Sequence, residues 1–411
     1  VFENLNKGGK KLSKYQVFAA QWSKHELRLS NEPINRRILE ITIQRYEDLI
    51  ESRNVEINNF SKEDMLEDKT INVAEYCYAL GKLILEKMFV FWDHDNEDTA
   101  NKIGYSTLAM VFRIRNKDMS KLVNFFNTLD NAEFIEVITT AILNIYRDIN
   151  SIFEKHLKVP GASKALYSIQ GTSDFQLMSF FGSLWITKHS DLQSGKLEIK
   201  QKYKPNYKQI ELNLLHYYIY DRLTGRWSGT GDSKLDRIVI DKENSYIKDL
   251  DSFKIESALL NWHEDALEKS SINFDPISKL LYTVLCSYYN PYFNEKTYDN
   301  EHIIPRKQLS EIKKRSNQNI PGGSIGNFMY LDSTNNRSKQ EFSLYDVIKP
   351  GYSLEQEMLT IQAYPTKTEF SEIKFEVQRN NGEYNQLIST ISSRGKALIT
   401  DLVNKLYENR I

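Results

Sequence analysis

Apolar side chains recur along most of this chain at steps of three and four residues, the spacing that puts them on one face of an α-helix. Val73, Cys77, Leu80, Ile84, Met88 and Phe91 form one stripe; Phe134, Ile138, Ala141 and Ile145 form another. Glycine and proline are sparse between them, so residues 31–190 read as mostly helical. A third stripe joins Ile255, Leu259, Trp262 and Ala266, with Ser252 as candidate cap. A fourth joins Ile277, Leu280, Leu281, Val284 and Leu285, opened by Asp275-Pro276 and stopped by Asn290-Pro291. The last runs over about 385–408 through Leu387, Ile391, Leu398, Leu402 and Leu406. Between Ser190 and Lys208 the pattern lapses. Lys196, Lys200, Lys202, Lys204 and Lys208 outnumber Asp191 and Glu198, Tyr203 and Tyr207 lie among them, and an exposed loop, linker or domain boundary is expected. Near the start, Gly8-Gly9 marks a turn and Ser13 suits an N-cap.

The pattern changes kind over 297–340. Tyr298 to His302 reads as a strand, followed by a long loop. Phe328 to Leu331 is a short apolar run suited to a buried strand. Asp332 or Ser333 is then placed to cap a helix carrying Asn336. Composition narrows the frame. A length of 411 residues suggests two or three domains, and 40% apolar with 27% charged residues reads as soluble and globular. Lys and Arg total 54 against 55 Asp and Glu, which excludes a polybasic protein but not a local basic patch. Such a patch exists: between 301 and 340, Arg306, Lys307, Lys313, Lys314, Arg315, Arg337 and Lys339 face only Glu301, Glu311 and Asp332, a net excess of four positive charges suited to phosphate. Cys77 and Cys286 alone build no disulfide framework or Cys-rich zinc site, and they fit a reducing compartment. No run of 18 apolar residues marks a membrane span.

The series Glu301-His302-Ile303-Ile304-Pro305, Gly326-Asn327-Phe328 and Asn336, with eight residues between Asn327 and Asn336, resembles the ββα-metal motif of HNH nucleases, with Asn in the last position. Phe2 to Ser13 is similar to Phe-x-x-x-Asn-x-Gly-Gly-x-x-Leu-Ser at the end of the N-terminal domain of GmrSD-type restriction proteins. The Glu301 to Asn336 block resembles the C-terminal HNH domain of the same family. Arg226 to Asp232 and Arg394 are weaker likenesses.

The resemblance implies a mainly α, multidomain chain with a small ββα-metal (HNH) motif near the C-terminus. Residues 1–30 would close a truncated ParB-like, NTP-handling domain. Residues 31–192 would form a helical domain, and 193–411 a C-terminal helical domain carrying the motif at 297–340. It further implies a metal-dependent DNA endonuclease or nickase of the prokaryotic cytoplasm, acting in phage defence on foreign or modified DNA. His302 would be the general base, oriented by the backbone or side chain of Asn327. Glu301 and Asn336 would ligate Mg²⁺ or Mn²⁺, with Asp299 as a supporting or alternate carboxylate. The seven basic residues named above would meet double-stranded DNA, and a homodimer would cut both strands. The family's Asp-Gly-Gln-Gln-Arg motif does not occur, so NTP would be handled only by a domain preceding Val1. Two other readings stay open: a DNA-sensing module on an inactive HNH scaffold, and an HNH-type RNase.

Other clusters read as structure. Gly8 to Ser13 lacks the phosphate-loop pattern and suits a turn with a cap. Asp93 to Asp98 suits a solvated loop, and Arg226 to Asp232 a turn with Trp227 inward. The stretch 194–208 suits a linker, with tracking of a nucleic-acid strand as the alternative. His25, His94, His156, His189, His216 and His263 have no clustered partners.

Overall fold

A computed structural model describes residues 13–53, 60–93, 96–162, 164–192, 196–229, 231–240, 245–293, 296–333, 343–347 and 355–408. The described chain is mainly helical, with two small antiparallel sheets. It divides into two compact units that interleave along the sequence: 1–152 with 173–214 and 227–249, and 153–172 with 215–226 and 250–411. No described helix is long and apolar enough to cross a membrane.

The first unit holds α1 (Lys14–Trp22), β1 (Glu26–Arg28), α2 (Pro33–Arg53), α3 (Lys62–Asp68), β2 (Thr70–Asn72), α4 (Val73–Lys87), α5 (Glu97–Val111) and α6 (Phe126–Leu129). It also takes most of α7 (Ala132–Leu157), all of α8 (Asp174–Lys188), the first half of α9 (Lys204–Leu223) and α10 (Gly231–Val239). Ser13 opens α1 with a capping box: its hydroxyl accepts from Gln16 N, and the Gln16 side chain accepts from Ser13 N. β1 and β2 pair with Leu27 opposite Ile71, and Asn72 then caps α4. The α4 stripe is buried from Val73 to Met88 because α5 crosses it at backbone distance. A Cβ on Gly104 would lie 1.8 Å from the Cys77 carbonyl oxygen, and one on Gly81 1.9 Å from that of Ala100. Two glycines, one per helix, make that crossing possible. Below it, Tyr146 stacks on Phe181 with ring centres 4.5 Å apart.

The interval 190–208 is not an exposed loop throughout. His189 bridges to Ile199, α9 already begins at Lys204, and Tyr207 is buried with its hydroxyl toward Asp148. The lysines hid this, because one tyrosine per helical turn is a weak apolar signal.

The second unit contains the ends of α7 and α9, then α11 (Ser252–Leu267), α12 (Pro276–Ser287), α13 (Asn290–Phe293), β3 (Tyr298–His302), α14 (Arg306–Arg315) and β4 (Phe328–Asp332). α15 (Gln356–Ile361), α16 (Lys367–Arg379) and α17 (Asn385–Glu408) complete it. α17 is the axis on which α11, α12 and α16 pack. Its stripe, Leu387, Ile391, Leu398, Leu402 and Leu406, is fully buried, as the spacing predicts. Asp251 rather than Ser252 caps α11, accepting from Phe253 N at 2.8 Å. Asp275 and Pro276 open α12 as expected. That helix ends at Ser287, and Pro291 sits in the first turn of α13, where its missing N–H costs nothing. The expected loop after His302 contains α14. Only Leu309 and Ile312 of that helix are buried, too short a stripe to stand out among its charges.

Candidate functional site

β3 and β4 form a two-stranded antiparallel ribbon in which His302 faces Phe328, Glu301 faces Met329 and Tyr298 faces Asp332. β3 spans the residues expected of it, Tyr298–His302, and β4 starts at Phe328 as expected but runs one residue past Leu331, so Asp332 belongs to the strand. Strand alternation sends Tyr298, Asn300 and His302 to one face and Asp299 and Glu301 to the other.

Asn327 joins the two strands at the His302 end. Its backbone carbonyl accepts from Ile303 N at 2.8 Å, and its side-chain Oδ1 accepts from Ile304 N at 2.8 Å. Its Nδ2 donates to the Gly322 carbonyl at 2.8 Å. Backbone and side chain together therefore fix the two residues that follow His302, and Asn327 is fully buried while doing so. Both polar atoms of its side chain are engaged within the protein, one of them on the segment that follows His302. Asn327→Ala would strand a buried donor and a buried acceptor. It is expected to lower unfolding stability by about 2–4 kcal/mol. Asn327→Asp keeps the bond to Ile304 but points an oxygen at the Gly322 carbonyl, so most of the loss remains. Urea denaturation of both variants checks this; a loss under about 1 kcal/mol would remove the brace.

His302 is held by residues some thirty positions upstream. Its Nε2 lies 2.8 Å from the Ile272 carbonyl, and its ring stacks on Phe274 with centres 3.8 Å apart. A carbonyl only accepts, so Nε2 carries a hydrogen, and in the neutral ring the lone pair belongs to Nδ1. The residue is 9% exposed.

The turn before β4 is set from the other side. Ser324 caps a short 3₁₀ turn, Ile325–Asn327. Gly326 in that turn approaches α17 so closely that a Cβ would lie 1.8 Å from the Ile391 carbonyl oxygen. Arg394 of α17 is buried and donates to the Gly326 carbonyl at 2.9 Å, to Ile325 at 3.2 Å, to Gln362 at 2.7 Å and to Ala363 at 3.0 Å. Burial lowers its proton affinity, but a guanidinium starts so high that it stays charged. Gln362, also fully buried, runs its amide alongside β4. Its Oε1 accepts from Tyr330 N at 2.9 Å and from the Tyr282 hydroxyl at 2.7 Å, and its Nε2 donates to the Tyr330 carbonyl at 2.8 Å.

The structure thus brings together His302 and Asn327. It places Glu301 beside His302 in sequence but on the opposite face, with Asp299 on the same face as Glu301. Asn336, Arg337 and Lys339 lie outside the described residues, as does the expected helix after Ser333. Arg306, Lys307, Lys313, Lys314 and Arg315 all lie exposed on α14. Arg306 donates to the Asn273 side chain at 3.1 Å, and Lys313 donates to the Ser270 carbonyl, so both tie α14 to the segment that carries Ile272 and Phe274.

Among the described residues no group of three His, Cys, Asp or Glu side chains stands ready to hold a metal ion. The described oxygen donors are the carboxylates of Glu301 and Asp299. One or two carboxylates suit a hard ion that keeps several waters and takes phosphate oxygens, as Mg²⁺ does, and do not suit zinc.

Ile272, Phe274 and Gln362 carried no signal in the sequence, because each acts across a long stretch of chain. Arg394 did carry one: it is a charged residue at a core position of an otherwise apolar stripe, between Ile391 and Leu398. No family model matches the chain, and no curated protein or solved structure matches it either.

Proposed function

We propose that the chain is a metal-dependent DNA endonuclease or nickase, the HNH-bearing effector part of a GmrSD-like phage-defence protein. The observation that carries the proposal is the double constraint on His302. Asn327 fixes the backbone after it, and the Ile272 carbonyl accepts from Nε2, so in the neutral form that a general base requires the lone pair would sit on Nδ1 at the end of a strand. A general base must be within hydrogen-bond reach of the proton it takes and neutral near pH 7, and such a base accelerates hydrolysis about 10²–10⁴-fold. Nδ1 would take the proton of the water that attacks phosphorus, as the bond to the leaving sugar oxygen breaks. Glu301, with Asp299 and with Asn336 where the family places it, would hold Mg²⁺ or Mn²⁺, and the ion would neutralise charge on the phosphate. The exposed cations of α14 supply the phosphate contacts.

Incubation with supercoiled plasmid and Mg²⁺ is the direct test; relaxation that requires the metal is the expected result, and an RNA substrate run in parallel separates DNase from RNase. The contribution of α14 has its own measure. The log of DNA affinity should fall linearly with log salt, and each lysine meeting a phosphate adds about 0.9 to that slope on duplex DNA. K313A/K314A is expected to flatten the slope by one to two such increments; an unchanged slope would take α14 out of the interface.

A second reading has an observation in its favour. His302 is 9% exposed and Glu301 leaves the ribbon on the other face. A ribbon that serves only as a scaffold for DNA sensing would show the same packing. Binding of plasmid without metal-dependent relaxation would favour it.

A further inference from the structure

We propose that a basic cavity in the first unit binds a small phosphate ester. The cavity has a volume of about 360 Å³. That lies near the lower end of the ~300–1,000 Å³ of small-ligand sites, large enough for a mononucleotide-sized molecule. Its described lining contains three cations, Arg113, Lys200 and Lys202, and no carboxylate.

Two of these cations are fixed. Lys200 Nζ donates to the Ile186 carbonyl at 2.6 Å. Arg113 Nη1 donates to the Val239 carbonyl at 3.2 Å, and its Nε pairs with Asp191. Arg113 follows the C-cap of α5 with φ at 54°, in the left-handed region that glycine or asparagine ordinarily fills at that position. An arginine there accepts backbone strain that a glycine would avoid, while its guanidinium edges the cavity. Lys202 is exposed.

The rest of the wall is not basic. Ile186 and Ile247 are apolar, and Tyr203 adds an aromatic surface. Thr187 and Asn206 bring a hydroxyl and an amide. Asn206 lies in the first turn of α9, whose N–H groups add positive potential at the same place. One anionic group of charge near −2, joined to a flat or apolar body, matches this division of the wall. A phosphate monoester supplies both. The site lies in a different unit from His302 and does not rest on the nuclease reading.

Isothermal titration of the full chain at low salt with AMP, adenosine and a 5′-phosphorylated trithymidylate tests it. AMP is expected to bind, with adenosine at least tenfold weaker. K200A/K202A should weaken AMP binding tenfold or more, with a drop in Tm of no more than a few degrees from the lost bond to the Ile186 carbonyl, and K202A, which removes an exposed side chain, should weaken binding at an unchanged Tm. Arg113→Gly relieves the left-handed backbone while removing the guanidinium, so it should fold and also bind AMP tenfold more weakly. Three outcomes would overturn the proposal: adenosine binding as tightly as AMP, the variants binding AMP like the parent, or no AMP binding at millimolar concentration. A trithymidylate that binds tenfold tighter than AMP would also overturn it, by turning the cavity into part of a strand-binding groove.

Discussion

His302→Ala is expected to abolish metal-dependent relaxation of supercoiled plasmid, with a loss of about 10²–10⁴-fold in rate and little change in fold. The reasoning runs through tautomers. The Ile272 carbonyl can only accept, so it keeps a proton on Nε2 and leaves the lone pair of the neutral ring to Nδ1. Alanine removes the base while leaving the Asn327 bonds to Ile303 and Ile304 in place, since those use the backbone and the Asn327 side chain. Circular dichroism should therefore be unchanged where activity vanishes. Phe274→Ala loosens the ring instead of deleting it, so it should give a smaller loss in rate than His302→Ala. Relaxation that persists in His302→Ala would sink the assignment of the base.

Arg394→Met should be among the most destabilising single changes in the second unit. One buried guanidinium serves the carbonyls of Ile325, Gly326, Gln362 and Ala363. Methionine fills similar volume but leaves all four buried acceptors without that donor. Each stranded group costs about 1–3 kcal/mol, and relaxation recovers part, so a net loss of about 3–5 kcal/mol is expected. For a unit of this size the apparent Tm should drop by roughly 10 °C. Arg394→Lys keeps a charge but not the planar fork, and should recover less than half of the loss. Denaturant titration that finds less than about 1 kcal/mol for Arg394→Met would show that water replaces the guanidinium. The nuclease reading adds one further expectation: activity should fall in Arg394→Lys even at temperatures where the protein is folded, because the turn holding Asn327 is no longer fixed.

Much of the fold was legible because helices announce themselves by period. α17, α12 and the start of β4 lie where the apolar residues placed them. What could not be seen was of two kinds. α14 hides because a helix that buries only Leu309 and Ile312 has almost no stripe, and α9 hides behind lysines. At the candidate site, His302 and Asn327 lie 25 positions apart and were legible through the order and identity of residues that resemble a known motif. Their supports were not. Ile272 acts through a backbone carbonyl, which any residue provides, and Gln362 acts through an amide that reads as ordinary polar sequence. Backbone acceptors and long-range amides leave no mark on composition or spacing. Arg394 left the one usable mark, a charge in an apolar stripe.

The amide of Gln362 has a consequence for how copies of this chain meet. A two-stranded ribbon normally presents an open edge, and an open edge templates pairing with a strand from another molecule. Here the outward N–H and C=O of Tyr330 are already taken by one side chain. Gln362 thus works as a one-residue edge cover and stops strand addition at the centre of β4. On the nuclease reading, a dimer able to cut both strands of a duplex would have to assemble through some other surface, and this edge offers one fewer place at which aggregation can start.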